Sequence, residues 1–236
     1  MQHHNLLKLA SAFYSIASTE KLPPNSDNLS TITKNLDNLC FFKSRIEYCE
    51  KNLEHLSSGS SRIVYKTSKN TVIKLAKNEK GISQNEVEAS AKTKSKHVNP
   101  VLSHSKNYFW IEVPLLEKIT TKEFEALCDL SFEDFSKSLE YGLKHLEHSS
   151  QKKPSKFDSI SKSSLYKNIF DVAKKLNLLP GDLTRISSWG TKNKVPVLID
   201  VGLSRKVYEE HYSSSSSGDS TKSTKSSKST SSKKTS

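Results

Sequence analysis

Apolar residues in the first quarter of the chain recur at intervals of three and four, the spacing of an amphipathic helix. Residues 6–17 carry such a stripe, and Pro23 and Pro24 follow it and end a helix. Residues 27–56 repeat the pattern in two segments and predict a helical pair. We expect the helix over residues 6–17 either to pack on its own domain or to dock onto a partner, such as an acidic protein or a larger assembly.

From residue 59 to 117 the period changes toward two, which is typical of strands. One predicted helix, over residues 83–94, lies among four predicted strands. The strands are expected at 63–65, 72–75, 98–102 and 108–113. This order predicts an antiparallel sheet accompanied by one helix.

Lys74 lies within an apolar strand, where a lysine is rarely buried unless it is paired. One interpretation is a buried lysine held by a glutamate of the following helix; the other is an exposed lysine on an edge strand. Glu86 and Glu88 are two positions apart on that helix, so only one of them can face Lys74. We favour Glu86 as the partner.

Helical spacing returns beyond residue 119. Residues 120–150 and 165–179 predict helices, and Pro180 and Gly181 end the second of them. A short apolar run at 197–199 then predicts a buried strand, and one further short helix is expected within 203–212.

Two aspartates in this part of the chain are 18 positions apart. Asp182 follows Gly181 directly, and Asp200 ends the apolar run just before Val201 and Gly202. An aspartate at a strand end can hold a metal ion, because the strand fixes the carboxylate and the glycine lets the backbone turn away. It can equally cap the next turn.

Composition narrows the choice of partners. The chain has 236 residues, a length that suits one domain or one bilobal domain with appendages, and its formal net charge is +12. A basic balance favours contact with a nucleotide, a nucleic acid or an acidic protein, although lysine-rich solvated faces give the same count. The Ser/Lys-rich tail, residues 213–236, is predicted to be disordered, and weak, salt-dependent contact with nucleic acid is expected of it.

The cysteines and the hydropathy indicate a cytoplasmic protein. Three cysteines without Cys-x-x-Cys spacing argue for a reducing compartment, without a disulfide framework or a zinc site. No run reaches about 18 apolar residues, so no transmembrane helix and no membrane partner are expected.

Several segments together resemble an uncharacterised protein kinase-like family of tailed bacteriophages, over roughly residues 50–212. They are the small-residue loop at 57–61, Lys74–Asn78, Gly81–Glu86, Ser188–Gly190 and Ile199–Gly202. The resemblance implies an α+β, bilobal kinase-like fold in a host cytoplasm, with virion association as one outcome. Its expected parts are an N-terminal helical extension (1–50), a small antiparallel-sheet lobe (51–118), a reduced helical lobe (119–212) and a disordered tail (213–236).

In that family the small-residue loop covers the nucleotide phosphates, and a strand lysine held by a helix glutamate contacts them. The resemblance assigns the loop role to Gly59, Ser60 and Ser61, and the lysine and glutamate roles to Lys74 and Glu86. ATP would be the cofactor, with its adenine at the hinge that follows the strand ending near Val113. Backbone groups of the hinge would read the base.

The remaining roles concern Mg²⁺ and catalysis. Asp200 would hold Mg²⁺, with Ser188 (or Ser187) where the family has a metal-binding asparagine, and Asp182 would be the catalytic-loop aspartate. The chain departs from the pattern here, because Pro180-Gly181 replaces His-Arg and the helices that hold a peptide substrate are not evident after Gly202.

These departures leave two main interpretations. One is a minimal phosphotransferase of phage origin that depends on Mg-ATP. The other is an inactive pseudokinase that serves as a virion, assembly or host-interaction protein. A third interpretation is a nucleic-acid-binding protein that acts through its charge.

Overall fold

The structure is a computed structural model that describes residues 26–92, 95–145 and 152–213. The predictions for residues 6–17 and for the tail beyond Ser213 lie outside the described residues.

Groups of helices and groups of antiparallel strands follow one another along the chain in an α+β arrangement. The helices are α1 (Ser26–Asn38), α2 (Phe42–Asn52), α3 (Glu79–Ser90), α4 (Thr121–Cys128), α5 (Phe132–His145), α6 (Phe157–Ile160), α7 (Ser164–Leu176), α8 (Pro180–Leu183) and α9 (Arg205–His211). The strands are β1 (Glu54–Ser58), β2 (Arg62–Lys66), β3 (Thr71–Ala76), β4 (Ser103–His104), β5 (Trp110–Pro114), β6 (Glu117–Lys118), β7 (Trp189–Lys192) and β8 (Val195–Leu198).

The first sheet is antiparallel, with strand order β1-β2-β3-β5-β4. The predicted strands that became β2, β3 and β5 are confirmed, and α3 confirms the predicted helix with an earlier start. The strand predicted over 98–102 is wrong, because Pro100 cannot donate a ladder hydrogen bond and the backbone N–H of Asn99 bonds to Leu198 instead. β1 is an addition that the pattern did not predict, since all five of its residues are exposed.

One face of this sheet packs against the helical pair α1 and α2, which confirms the predicted helical pair up to Asn52; residues 54–56 belong to β1 instead. The two helices and the sheet share one apolar cluster, formed by Ile32, Leu36, Cys49, Leu53, Ile63, Tyr65, Ile73, Leu75 and Trp110. Two polar ties accompany it: the Trp110 indole donates to Asp37 (2.8 Å), and the Arg45 guanidinium lies 3.6 Å from the centre of the Phe109 ring.

Lys74 lies on the opposite face. It is paired in register with Val64 of β2 and Ile111 of β5, and side chains opposite each other in an antiparallel ladder project to the same side. The apolar residues of this face form a smaller cluster of Val72, Ile111 and Val113 with Val64, Val101 and Leu115 beside them. The strand alternation thus sends the lysine away from α1 and α2, toward the second half of the molecule.

The second half combines a three-stranded antiparallel sheet, β6-β7-β8, with helices α4 to α8. Trp189 of β7 is fully buried and meets Phe124, Phe132 and Phe135 edge-on at ring-centre distances of 5.5 to 6.2 Å. The predicted helical stretch 120–150 is described as far as His145, and this part contains α4 and α5. Asp129, with a φ of 51°, ends α4 in the left-handed conformation. β8 confirms the predicted buried strand before Asp200.

No helix among residues 26–92, 95–145 and 152–213 is long and apolar enough to cross a bilayer.

Candidate functional site

Lys74 is the centre of a buried polar network. Its ammonium donates to both carboxylate oxygens of Glu88, at 2.8 and 3.1 Å, and to the backbone carbonyl of Ile199 at 2.7 Å. Three acceptors match the three donors of an ammonium group. The residue is 8 % exposed and its strand lies inside the sheet, so the alternative of an exposed lysine on an edge strand is wrong.

The partner is Glu88, and the preference for Glu86 is wrong. Glu86 is exposed, whereas Glu88 is buried. The inner face of α3 is formed by Gly81, Gln84, Asn85 and Glu88, which recur at helical spacing. Glu86 lies off that face, because two helical positions correspond to about 200° of rotation.

A close approach of α3 to the sheet holds Glu88 in place. A Cβ atom added at Gly81 would lie 2.2 Å from the carbonyl oxygen of Ser61 and 2.9 Å from the Cα of Ala76. Only glycine fits at this contact. The helix begins with the side chain of Asn78 accepting from the backbone N–H of Gly81, at 3.2 Å.

Arg62, which the sequence interpretation did not single out, joins the same network. One amino group of its guanidinium donates to Glu88 at 2.5 Å and to Asn85 at 3.3 Å, and the other donates to Asp200 at 2.8 Å. Burial alone would lower the pKa of Arg62, but the charges of Glu88 and Asp200 raise it overall. The guanidinium therefore stays protonated and bridges α3 to the loop after β8.

Asp200 lies just after the end of β8, close to where the metal-site prediction put it, but it already has a cationic partner. Its Oδ1 accepts from Arg62 and also from the backbone N–H of Gly202, at 3.3 Å. The second bond is the turn-capping role that the sequence had left open. Burial would raise the pKa of Asp200, but the charges of Arg62 and Lys74 hold it well below its usual range.

Asp182 and Ser188 lie beside this network. Asp182 belongs to the short helix α8 and forms a long ion pair with Arg185, 3.8 Å. Burial raises the pKa of Asp182, and the charge of Asp200 raises it further, against opposing effects of Arg185 and Arg62. Ser188 precedes β7, and its backbone carbonyl accepts from the N–H of Ile199 at 2.8 Å, so its backbone lies next to the Asp200 turn.

The small-residue loop is tied to the start of α3. The Lys77 ammonium donates to the carbonyl of Gly59 (3.0 Å), the Asn78 amide donates to that of Ser60 (3.1 Å), and the Ser61 hydroxyl donates to Gln84 (2.6 Å). Gly59 and Ser60 are exposed, and Ser61 is buried.

A separate cavity of about 730 Å³ lies where the sequence predicted a hinge. Residues 114–117, from the last residue of β5 to the first residue of β6, form one wall, and α4 and the β7–β8 turn form others. Glu117 of this segment pairs with Thr191, and a Cβ added at Gly190 would lie 2.8 Å from the carbonyl of Glu117. The side chains of Lys74, Glu88 and Asp200 do not line this cavity.

The described residues contain no group of three or more His, Cys, Asp or Glu side chains placed to hold a metal ion. Both hydrogen-bond partners of Asp200 are donors, the Arg62 guanidinium at 2.8 Å and the backbone N–H of Gly202 at 3.3 Å, so the residues as they lie do not fit Mg²⁺.

Neither a family model nor a curated protein matches the chain. The resemblance to a bacteriophage family thus stays a prediction. Solved structures with similarity include the streptomycin–ATP ternary complex of the aminoglycoside phosphotransferase APH(2'')-IIa, at 16 % identity, 70 % coverage of this chain, 71 % of that chain and a TM-score of 0.33. The ADP-bound aminoglycoside phosphotransferase APH(2'')-Ib has 16 % identity, 68 % and 69 % coverage and a TM-score of 0.32. Both similarities are too weak to assign a function.

Proposed function

We propose that the chain is a kinase-like nucleotide-binding protein whose phosphate-side residues are Lys74, Glu88 and Asp200. The observation that carries the proposal is the buried Lys74–Glu88 pair, which also bonds to Ile199, the residue next to Asp200. In protein kinases a strand lysine paired with a helix glutamate must be in place beside the Asp-x-Gly aspartate before phosphates are held productively. A buried lysine salt bridge by itself adds little stability, so a functional role is a reasonable cause for keeping one.

The neighbouring surfaces suit the other parts of a nucleotide. Val64 and Val72 lie on the same face of the sheet as Lys74 and offer apolar contact to a base. The loop Gly59–Ser61 lies between β1 and β2, at the end of the sheet where Arg62 begins β2, and would cover phosphates. The hinge cavity beside residues 114–117 would receive the outer edge of the base or a bulky substituent.

Nucleotide binding is tested by thermal unfolding of the full chain with ATP or ADP, in Mg²⁺ and in EDTA. A ligand at about 100 times its dissociation constant adds roughly 2.7 kcal/mol of stability. We expect Lys74→Met to lose the shift and Lys66→Met, on the neighbouring strand, to keep it. The absence of any shift with millimolar ATP or ADP, with or without metal, would refute the proposal.

Phosphate transfer is the more specific form of the proposal. Asp182 would position the acceptor hydroxyl, and ATP would be the donor. For this form we also propose a phage origin and a cytoplasmic location, and only the sequence resemblance supports them. Labelled phosphate that passes from ATP to the chain or to a small acceptor, and that Asp182→Asn abolishes, would support it.

The second candidate is a pseudokinase-like binding protein, with a virion, assembly or host partner. One observation favours it: the polar atoms of the Lys74 network are already paired within the protein, including Asp200 with Arg62. Nucleotide-dependent stabilisation without transfer would support this candidate over the phosphotransferase.

A further inference from the structure

Arg62 occupies a position where the kinase pattern has glycine. The kinase pattern G-x-G-x-x-G-x-V can be aligned so that its valine is Val64. Its three glycine positions are then occupied by Ser57, Gly59 and Arg62. Only the middle glycine is present. The third position is occupied by an arginine, whose side chain points into the network around Lys74.

The charges of the network are balanced without any added ion. Arg62 and Lys74 contribute two positive charges, and Glu88 and Asp200 contribute two negative charges, with ion-pair contacts between 2.5 and 3.1 Å. A divalent cation placed on Asp200 would meet the guanidinium at close range, since the two side chains are 2.8 Å apart. The guanidinium is buried although Asp200 is partly exposed, so solvent would screen the repulsion only in part.

The arginine is also fixed where it is. Arg62 is 7 % exposed, and its backbone is paired in register with Ala76 inside the sheet. Asn85 and Glu88 hold one end of the guanidinium, and Asp200 holds the other. Withdrawing it would take one of two cationic partners from buried Glu88 and the ion-pair partner from Asp200, whose side chain is 39 % exposed, which is unfavourable.

We propose that Arg62 is the resident cation of this site: it takes the place of a divalent metal ion at Asp200, so that the site neither binds nor needs metal. The inference rests on the proposed function for the identity of the site as a nucleotide site. It specifies the ligand as a nucleotide free of metal, and Arg62 as the residue that decides this.

The test is a titration of the full chain with Mn²⁺, with and without ADP. Binding is measured in electron paramagnetic resonance as the loss of the signal of free Mn²⁺. Wild type and Asp200→Asn are expected to give superimposable titrations, because Asp200 holds no metal in either. Arg62→Met is expected to gain one Mn²⁺ site, which the double variant Arg62→Met/Asp200→Asn loses. Arg62→Gln serves as a second variant, since its amide can still donate to one carboxylate and supports the fold.

Arg45→Met is the matched control. It removes another buried arginine, which lies on the far side of the sheet beside Phe109 and the carbonyl of Leu36. It changes the net charge by the same amount and leaves Asp200 paired, so no Mn²⁺ site should appear.

Two results would overturn the inference. One is Mn²⁺ binding by wild type that Asp200→Asn removes. The other is a folded Arg62→Met or Arg62→Gln protein that gains no site. The Mn²⁺ titrations without ADP do not depend on nucleotide binding, so a chain that follows the expected pattern but binds no nucleotide would refute the proposed function alone.

Discussion

Loss of the Glu88 carboxylate should strongly destabilise the fold. Its two carboxylate oxygens accept from Lys74, and one of them also accepts from Arg62 at 2.5 Å; the residue is 5 % exposed. Glu88→Gln keeps the size but removes the charge and directs an amide donor toward two cations. Breaking a buried ion pair by removing one partner costs about 3–5 kcal/mol, because the remaining charge is uncompensated.

Two features place the expected loss within that range. Arg62 keeps Asp200 as a second partner, and Lys74 keeps the carbonyl of Ile199, so neither cation is left without an acceptor. A domain is stable by roughly 5–15 kcal/mol, so the loss is a large part of the total. We therefore expect Glu88→Gln to lower the free energy of unfolding by about 3–4 kcal/mol.

The assay is urea unfolding at neutral pH, followed by tryptophan fluorescence. Trp110 lies in the first sheet and Trp189 in the second half, and both are buried, so each half contributes a signal. Glu86→Gln is the control, since an exposed residue two positions away should change stability by less than about 0.5 kcal/mol. Equal losses for the two variants, or a negligible loss for Glu88→Gln, would refute the buried network as described.

Two further predictions concern packing and thiol chemistry. Gly81→Ala should lower the melting temperature, because the new Cβ would lie 2.2 Å from the Ser61 carbonyl oxygen. Gly181→Ala should not lower it, because nothing lies within 4 Å of its Cβ position. Similar melting temperatures for the two variants would contradict the close approach of α3. In thiol labelling at mildly alkaline pH, exposed Cys40 should react quickly and buried Cys49 only on unfolding. Burial raises the pKa of the Cys49 thiol to about 12 and keeps it protonated. Equal labelling rates of the two thiols in the native protein would contradict this.

Short apolar, β-branched runs predicted the strands that became β2, β3 and β5, although β3 and β5 are buried on both faces and show no clear alternation. The same apolar pattern identified Lys74, since a lone lysine in an apolar strand implies a buried partner. It could not predict β1, whose residues are all exposed, or the break at Pro100. In both cases the backbone conformation depends on hydrogen bonding to neighbouring strands and not on hydrophobic burial.

The charged network was harder to predict for a related reason. The inner face of α3 consists of glycine, amides and Glu88, so hydrophobic periodicity gives no signal for its orientation. The choice between Glu86 and Glu88 follows instead from the close approach at Gly81. Arg62 could have been found by aligning the small-residue loop with the three-glycine pattern. An arginine in place of a glycine there is not explained by the needs of the backbone.

The network also joins the two halves of the molecule, and this constrains how a ligand can act. Arg62 and Lys74 belong to the first sheet, and their bonds to Asp200 and to the carbonyl of Ile199 reach the segment after β8. A ligand that drew Asp200 onto a metal ion would break the Arg62 bond and loosen this junction. A nucleotide that binds without metal leaves both bonds in place and adds its contacts to a junction that is already formed. Replacing Arg62 should therefore change ligand binding and the rigidity of the junction together, whereas replacing Lys66 or Arg45 should change neither.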